Sequence, residues 1–69
     1  MDNQTLDALE KRYPKGTKVK LVQMDDVQAP PVGTIGIVDY IDSIGTIHID
    51  WENGSTLGAV YGADIVEKI

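Results

Sequence analysis

Residues 33–55, GTIGIVDYIDSIGTIHIDWENGS, decide the fold of this chain. Within them, residues 46–51 alternate strictly, with Ile47, Ile49 and Trp51 on one face and Thr46, His48 and Asp50 on the other. A period of two is that of a strand with one buried face. Asn53-Gly54 follows at once. This dipeptide suits a type I′ hairpin turn, whose two central residues both take positive φ. A returning strand is expected over residues 56–60, with Gly58 marking tight packing. Upstream, residues 34–41 are apolar on both faces and contain Gly36, which predicts a bend or a bulge there. Asp42, Ser43, Ile44 and Gly45 read as the turn between the two strands.

Working outward, Leu6, Leu9 and Tyr13 fall on one helical face, and Asp2 or Asn3 can cap the first turn. Pro14 and Gly16 stop that helix. A helix of about three turns is marginal alone in water, so its apolar stripe must dock on the rest of the domain. A first strand is expected over residues 17–22, with Val19 and Leu21 inward and Lys18 and Lys20 towards water. Residues 23–33 form a long loop in which Pro30 and Pro31 cannot donate to a sheet ladder. Gly62, Ala63 and Asp64 predict one 3₁₀ turn before a last strand over residues 65–69. No internal repeat is evident. Five short strands, one long loop and a late 3₁₀ turn describe a mainly β domain, an SH3-like antiparallel barrel with one N-terminal helix. It occupies residues 1–69 as a single domain, helix 1–13 and barrel 17–69.

The 69-residue chain has no cysteine, so neither disulfides nor thiolate metal sites contribute. Burial of Ile, Val, Leu, Tyr and the single Trp must supply the stability. No apolar run reaches the ~20 residues that span a bilayer, and the acidic opening is unlike a secretory signal. The expectation is a cytoplasmic protein with no membrane association. Residues 1–20 carry a local charge of +2 and residues 21–69 one of −7. The net charge of −5 opposes long-range attraction to nucleic acid.

The run from Tyr13 onward resembles a family of short bacterial and phage proteins known only as a domain of unknown function. The matching pieces are Tyr13-Pro14-Lys15-Gly16-Thr17, Met24-Asp25-Asp26, Pro30-Pro31, Gly33-Thr34 and Gly36-Ile37-Val38. The fullest piece joins Ile47-His48-Ile49 to Trp51-Glu52-Asn53-Gly54-Ser55 and Leu57. Together they cover about four-fifths of the chain. The resemblance implies an SH3-like barrel and a place in bacteria or their mobile elements. It implies no activity, substrate or catalytic residue.

His48 and Asp50, two apart on one strand, share an outward face. They suit either a metal pair or a base with its orienting carboxylate, but no third partner is evident, and a surface polar pair is the plainer reading. Asp25 and Asp26 open the long loop, either as turn formers or as contacts for a basic partner. Trp51 faces the core, and an edge of it left exposed beside Tyr40, Tyr61, Pro30 and Pro31 would make an aromatic binding groove. Gly33 and Gly36 lack the helix and lysine of a phosphate loop. No nucleophile–base pair, metal set or cofactor motif stands out, and the small barrel interior is expected to be filled by side chains.

The leading expectation is therefore a non-enzymatic protein-binding module, monomeric or weakly dimeric. It would use Asp25, Asp26, Pro30, Pro31, Tyr40, Trp51 and Tyr61, with no cofactor and no metal. A second reading is a phage inhibitor that mimics nucleic acid through its acidic surface. A third is direct nucleic-acid binding through the basic residues Lys11, Arg12, Lys15, Lys18 and Lys20.

Overall fold

In a computed structural model covering all 69 residues, helix α1 runs Asn3–Arg12 and five strands follow. These are β1 Lys18–Gln23, β2 Ile35–Ile41, β3 Thr46–Trp51, β4 Ala59–Val60 and β5 Ile65–Lys68. They form one antiparallel sheet in the order β4-β3-β2-β1-β5, so the chain runs as a meander and then returns to pair β5 with β1. No helix is long and apolar enough to cross a membrane.

The one-sided pattern of the sequence becomes the core. Val19 and Leu21 from β1, Val38 from β2, Ile47, Ile49 and Trp51 from β3, and Ala59 from β4 are all buried on one face. Leu9 and Tyr13 of α1 dock on the same cluster, while Met24, Ile41 and Val66 pack at its margin. The helix starts where Asp2 Oδ1 accepts the Thr5 N–H at 2.7 Å. It ends where the Tyr13 N–H reaches the Leu9 carbonyl.

Two four-residue segments of one Pro-x-Gly-Thr pattern frame the β1–β2 pair, a regularity that reading for longer repeats overlooks. Pro14-Lys15-Gly16-Thr17 and Pro31-Val32-Gly33-Thr34 each close a turn with the Thr N–H on the Pro carbonyl at 3.0 Å. In each, the Thr hydroxyl donates to that same carbonyl at 2.6 Å. Gly16 and Gly33 have φ of 93° and 94°, the third-position requirement of a type II turn. The flanking bonds match as well. Val38 bonds Gly16 and Thr17 at one end, and Leu21 bonds Gly33 and Thr34 at the other. The β1–β2 ladder therefore has a local two-fold, with a glycine turn locking its register at each end.

Several expectations need correction. The ladder is not a closed barrel, because β4 and β5 lie at opposite edges of the sheet. Only an isolated bridge between Tyr61 and Asp64 occurs in the connection joining them. The Asn53-Gly54 turn is not type I′, since Gly54 alone has positive φ. Instead Gly54 N–H bonds the Trp51 carbonyl and Trp51 N–H bonds that of Ser55, a three-residue loop closed by glycine. The fourth strand shrinks to Ala59–Val60, because Leu57 is held by Trp51 and Ser55 rather than by the ladder. The residues before β5 form a turn, with Ala63 and Asp64 N–H on the Val60 carbonyl, and not a 3₁₀ helix. The irregularity in β2 falls between Val38 and Tyr40, not at Gly36.

Candidate functional site

That irregularity shapes the outer face of the β2–β3 hairpin. Up to Val38, which opposes Ile49, residues of β2 and β3 pair in one register. Beyond the extra residue, Asp39, Tyr40 opposes His48 and Ile41 opposes Ile47. Without the bulge Tyr40 would alternate inward like Val38; with it, Tyr40 turns outward and Ile41 takes the inward position. Tyr40 then lies flat on the His48 ring, centroids 4.2 Å apart and planes 6° from parallel, with 54 % of its surface exposed.

His48 is held from below as well. Its Nε2–H donates to Asp42 Oδ2 at 2.9 Å, while Asp42 Oδ1 accepts the N–H groups of Ile44 at 3.1 Å and Thr46 at 2.9 Å. The carboxylate thus ties the turn to the strand and orients the imidazole. Asp39, Tyr40, His48, Asp50 and Thr56 line a recess of about 220 Å³. Asp39 also pairs with Lys15 across the end of the sheet at 3.4 Å. No three His or acidic side chains converge as metal ligands. What the arrangement offers is a flat aromatic surface with carboxylates at its edge, suited to a planar cation.

The His48 bond, then the Thr46 and Ile44 N–H groups, hold the Asp42 carboxyl below its ordinary value of 3.8, with desolvation opposing them. The folded pKa lies below the unfolded one, so this stabilisation is full above the ordinary carboxylate range. It is lost as pH falls through the folded value. Urea unfolding from about pH 6 to about pH 2 should show the gap in stability between wild type and Asp42→Asn narrowing towards acid. A gap that does not change with pH contradicts this role.

The residues singled out in the sequence do not gather into one site. Trp51 is 4 % exposed, and its indole N–H donates to the Leu57 carbonyl at 2.8 Å, so it offers a partner no edge. Pro30 is buried and Pro31 exposed. Asp26 Oδ1 accepts the Gln28 N–H at 2.8 Å and Ala29 N–H bonds its carbonyl, so this residue builds the loop turn. Asp25 lies exposed beside it. Tyr40 and Tyr61 line different recesses. His48 pairs with Asp42 rather than with Asp50.

The basic residues are likewise dispersed. Arg12 stands 5.2 Å from the Tyr13 ring centroid, Lys11 lies in the last helical turn and Lys15 is paired with Asp39. Lys18 and Lys20 lie on β1, where Lys20 opposes Glu67. Asp42 and Asp39 are the residues that sequence reading missed. An Asp opening a tight turn was the only signal for the first, and no signal located the bulge that holds the second.

The family model for a domain of unknown function, DUF4314, matches residues 2–69. The chain belongs to the DUF4314 family. A search of curated proteins and of solved structures finds no match. Membership in DUF4314 therefore bears on the whole domain and assigns no role to the Tyr40–His48–Asp42 stack.

Proposed function

We propose that the chain is a non-enzymatic protein-binding module on an SH3-like fold, and that the outer face of its β2–β3 hairpin receives an arginine-bearing segment of a partner. The stack of Tyr40 on His48, with Asp39 and Asp50 lining the same recess, is the observation that carries this reading. A guanidinium stacks on an aromatic face and takes a carboxylate through two parallel bonds, so both parts of the recess serve one group. The SH3-like reading is supported by the meander with β5 returning to β1. A cytoplasmic setting goes with it, since a chain without cysteine suits a reducing interior; the bacterial or phage setting rests on the family resemblance alone.

Titrating the ¹⁵N-labelled protein with a capped Gly-Arg-Gly-Arg peptide tests this reading. The expected result is shifts centred on Tyr40, His48 and Asp50, with Asp39→Asn combined with Asp50→Asn weakening binding about tenfold. Loss of binding in Asp25→Asn with Asp26→Asn, but not in that pair, assigns the contact to the long loop instead. A second reading, mimicry of nucleic acid, is favoured by the exposed acids Asp50 and Glu52 at the end of β3. Its mark would be a captured partner that DNA displaces and that salt releases steeply.

A further inference from the structure

The two edges of the sheet are finished differently. At β4, the Val60 N–H is taken by Asp64 Oδ2 at 2.8 Å, and the Val60 carbonyl accepts from Ala63 and Asp64. That edge is closed by its own turn, a device that blocks strand addition. At β5, the Ile69 N–H bonds the Lys18 carbonyl, and the ladder pairs Glu67 with Lys20. By antiparallel alternation the N–H groups of Val66 and Lys68 then point away from β1, into the open side of the sheet.

A groove of about 330 Å³ lies beside this open edge, lined by Arg12, Tyr13, Val60, Tyr61, Ile65 and Val66 among others. The volume lies within the range of ligand clefts, ~300–1,000 Å³. Val60, Tyr61 and Ile65 are 44 %, 49 % and 48 % exposed, so apolar surface faces solvent there. Two cations converge on Tyr13 of that wall. The Arg12 guanidinium is 5.2 Å and Lys68 Nζ 6.0 Å from its ring centroid. Neither has an acidic partner within ion-pair distance, since the ion pairs of the molecule are Lys15–Asp39 and His48–Asp42.

We propose that the open edge of β5 takes an extended segment of a partner protein as a sixth strand, with an apolar side chain in the groove and a carboxylate beside Arg12 and Lys68. Backbone bonds to Val66 and Lys68 give the pairing, and the unpaired cations select an acidic segment. A second copy of this chain is the poorer occupant. The symmetric pairing that uses both free N–H groups sets Glu67 against Glu67 of the copy, and like charges opposed across strands are unfavourable.

The probe is a capped Thr-Val-Glu-Val-Thr-Val peptide, titrated into the ¹⁵N-labelled full chain. Its controls are the same peptide with Lys in place of Glu and one N-methylated at alternate amides. The expected result is shifts and slowed exchange at the Val66 and Lys68 amides. The Lys peptide should bind about tenfold more weakly, and the N-methylated one should not bind. Arg12→Gln with Lys68→Gln should remove the difference between the Glu and Lys peptides while leaving both bound. Equal binding of the two by the wild type, or no shift at these amides with the Glu peptide, overturns the proposal. So do concentration-dependent shifts there without peptide, which assign the edge to a second copy. The face lies apart from the Tyr40–His48 recess, so failure here leaves that reading standing.

Discussion

Trp51→Ala is expected to leave the chain largely unfolded at room temperature. The side chain is buried in the nine-residue core and its indole N–H is satisfied by the Leu57 carbonyl, so truncation both opens a cavity and frees a polar group. Such truncations cost about 3–5 kcal/mol. A domain of this length has roughly 3–10 kcal/mol in total, so the loss is a large share of it. Trp51→Phe preserves most of the packing and gives up the bond, a cost of about 1–2 kcal/mol. Circular dichroism melts of the two variants check the order. A Trp51→Ala protein that melts like wild type would mean that the indole is not a core group.

Gly36→Ala is the second large effect, and it comes from crowding rather than cavity. A Cβ on Gly36 would stand 2.5 Å from Ile49 Cγ2 and 2.7 Å from Trp51 Cε3, both buried side chains of the facing strand. Neither is a flexible tip, so β2 or β3 must shift. Overpacking of this kind costs about 1–3 kcal/mol. For a domain of this size each 1 kcal/mol lowers Tm by about 4–8 °C, so a drop of roughly 5–20 °C is expected. Gly54→Ala is the control. Nothing stands within 4 Å of its Cβ, so only the backbone strain of φ 89° opposes it, about 1–2 kcal/mol. A Gly36→Ala protein that melts like wild type would contradict the close approach of Trp51.

The strict alternation of residues 46–51 made β3 legible residue for residue, and with it the inward trio and the outward His48. The helix was legible through Leu9, Tyr13 and its Asp2 cap. What escaped was register. The extra residue at Asp39 cannot be seen in an apolar run, yet it alone turns Tyr40 onto His48. Gly36 drew the bulge to itself in the sequence because glycine serves bulges and close approaches alike; here Trp51 claims the space. Asn53-Gly54 signalled a hairpin correctly but not its type, since Glu52 adds a third residue to the loop. The missing closure between β4 and β5 was beyond reach, because it depends on Asp64 reaching back to Val60.

Quenching of the single tryptophan by acrylamide tests the orientation of β3 most directly, because core and recess both depend on it. With Ile47, Ile49 and Trp51 inward, emission is blue-shifted and resists the quencher until the protein unfolds. Emission quenched in the native state as readily as in urea would place that face in solvent and His48 inside, and would contradict both the fold and the site built on it.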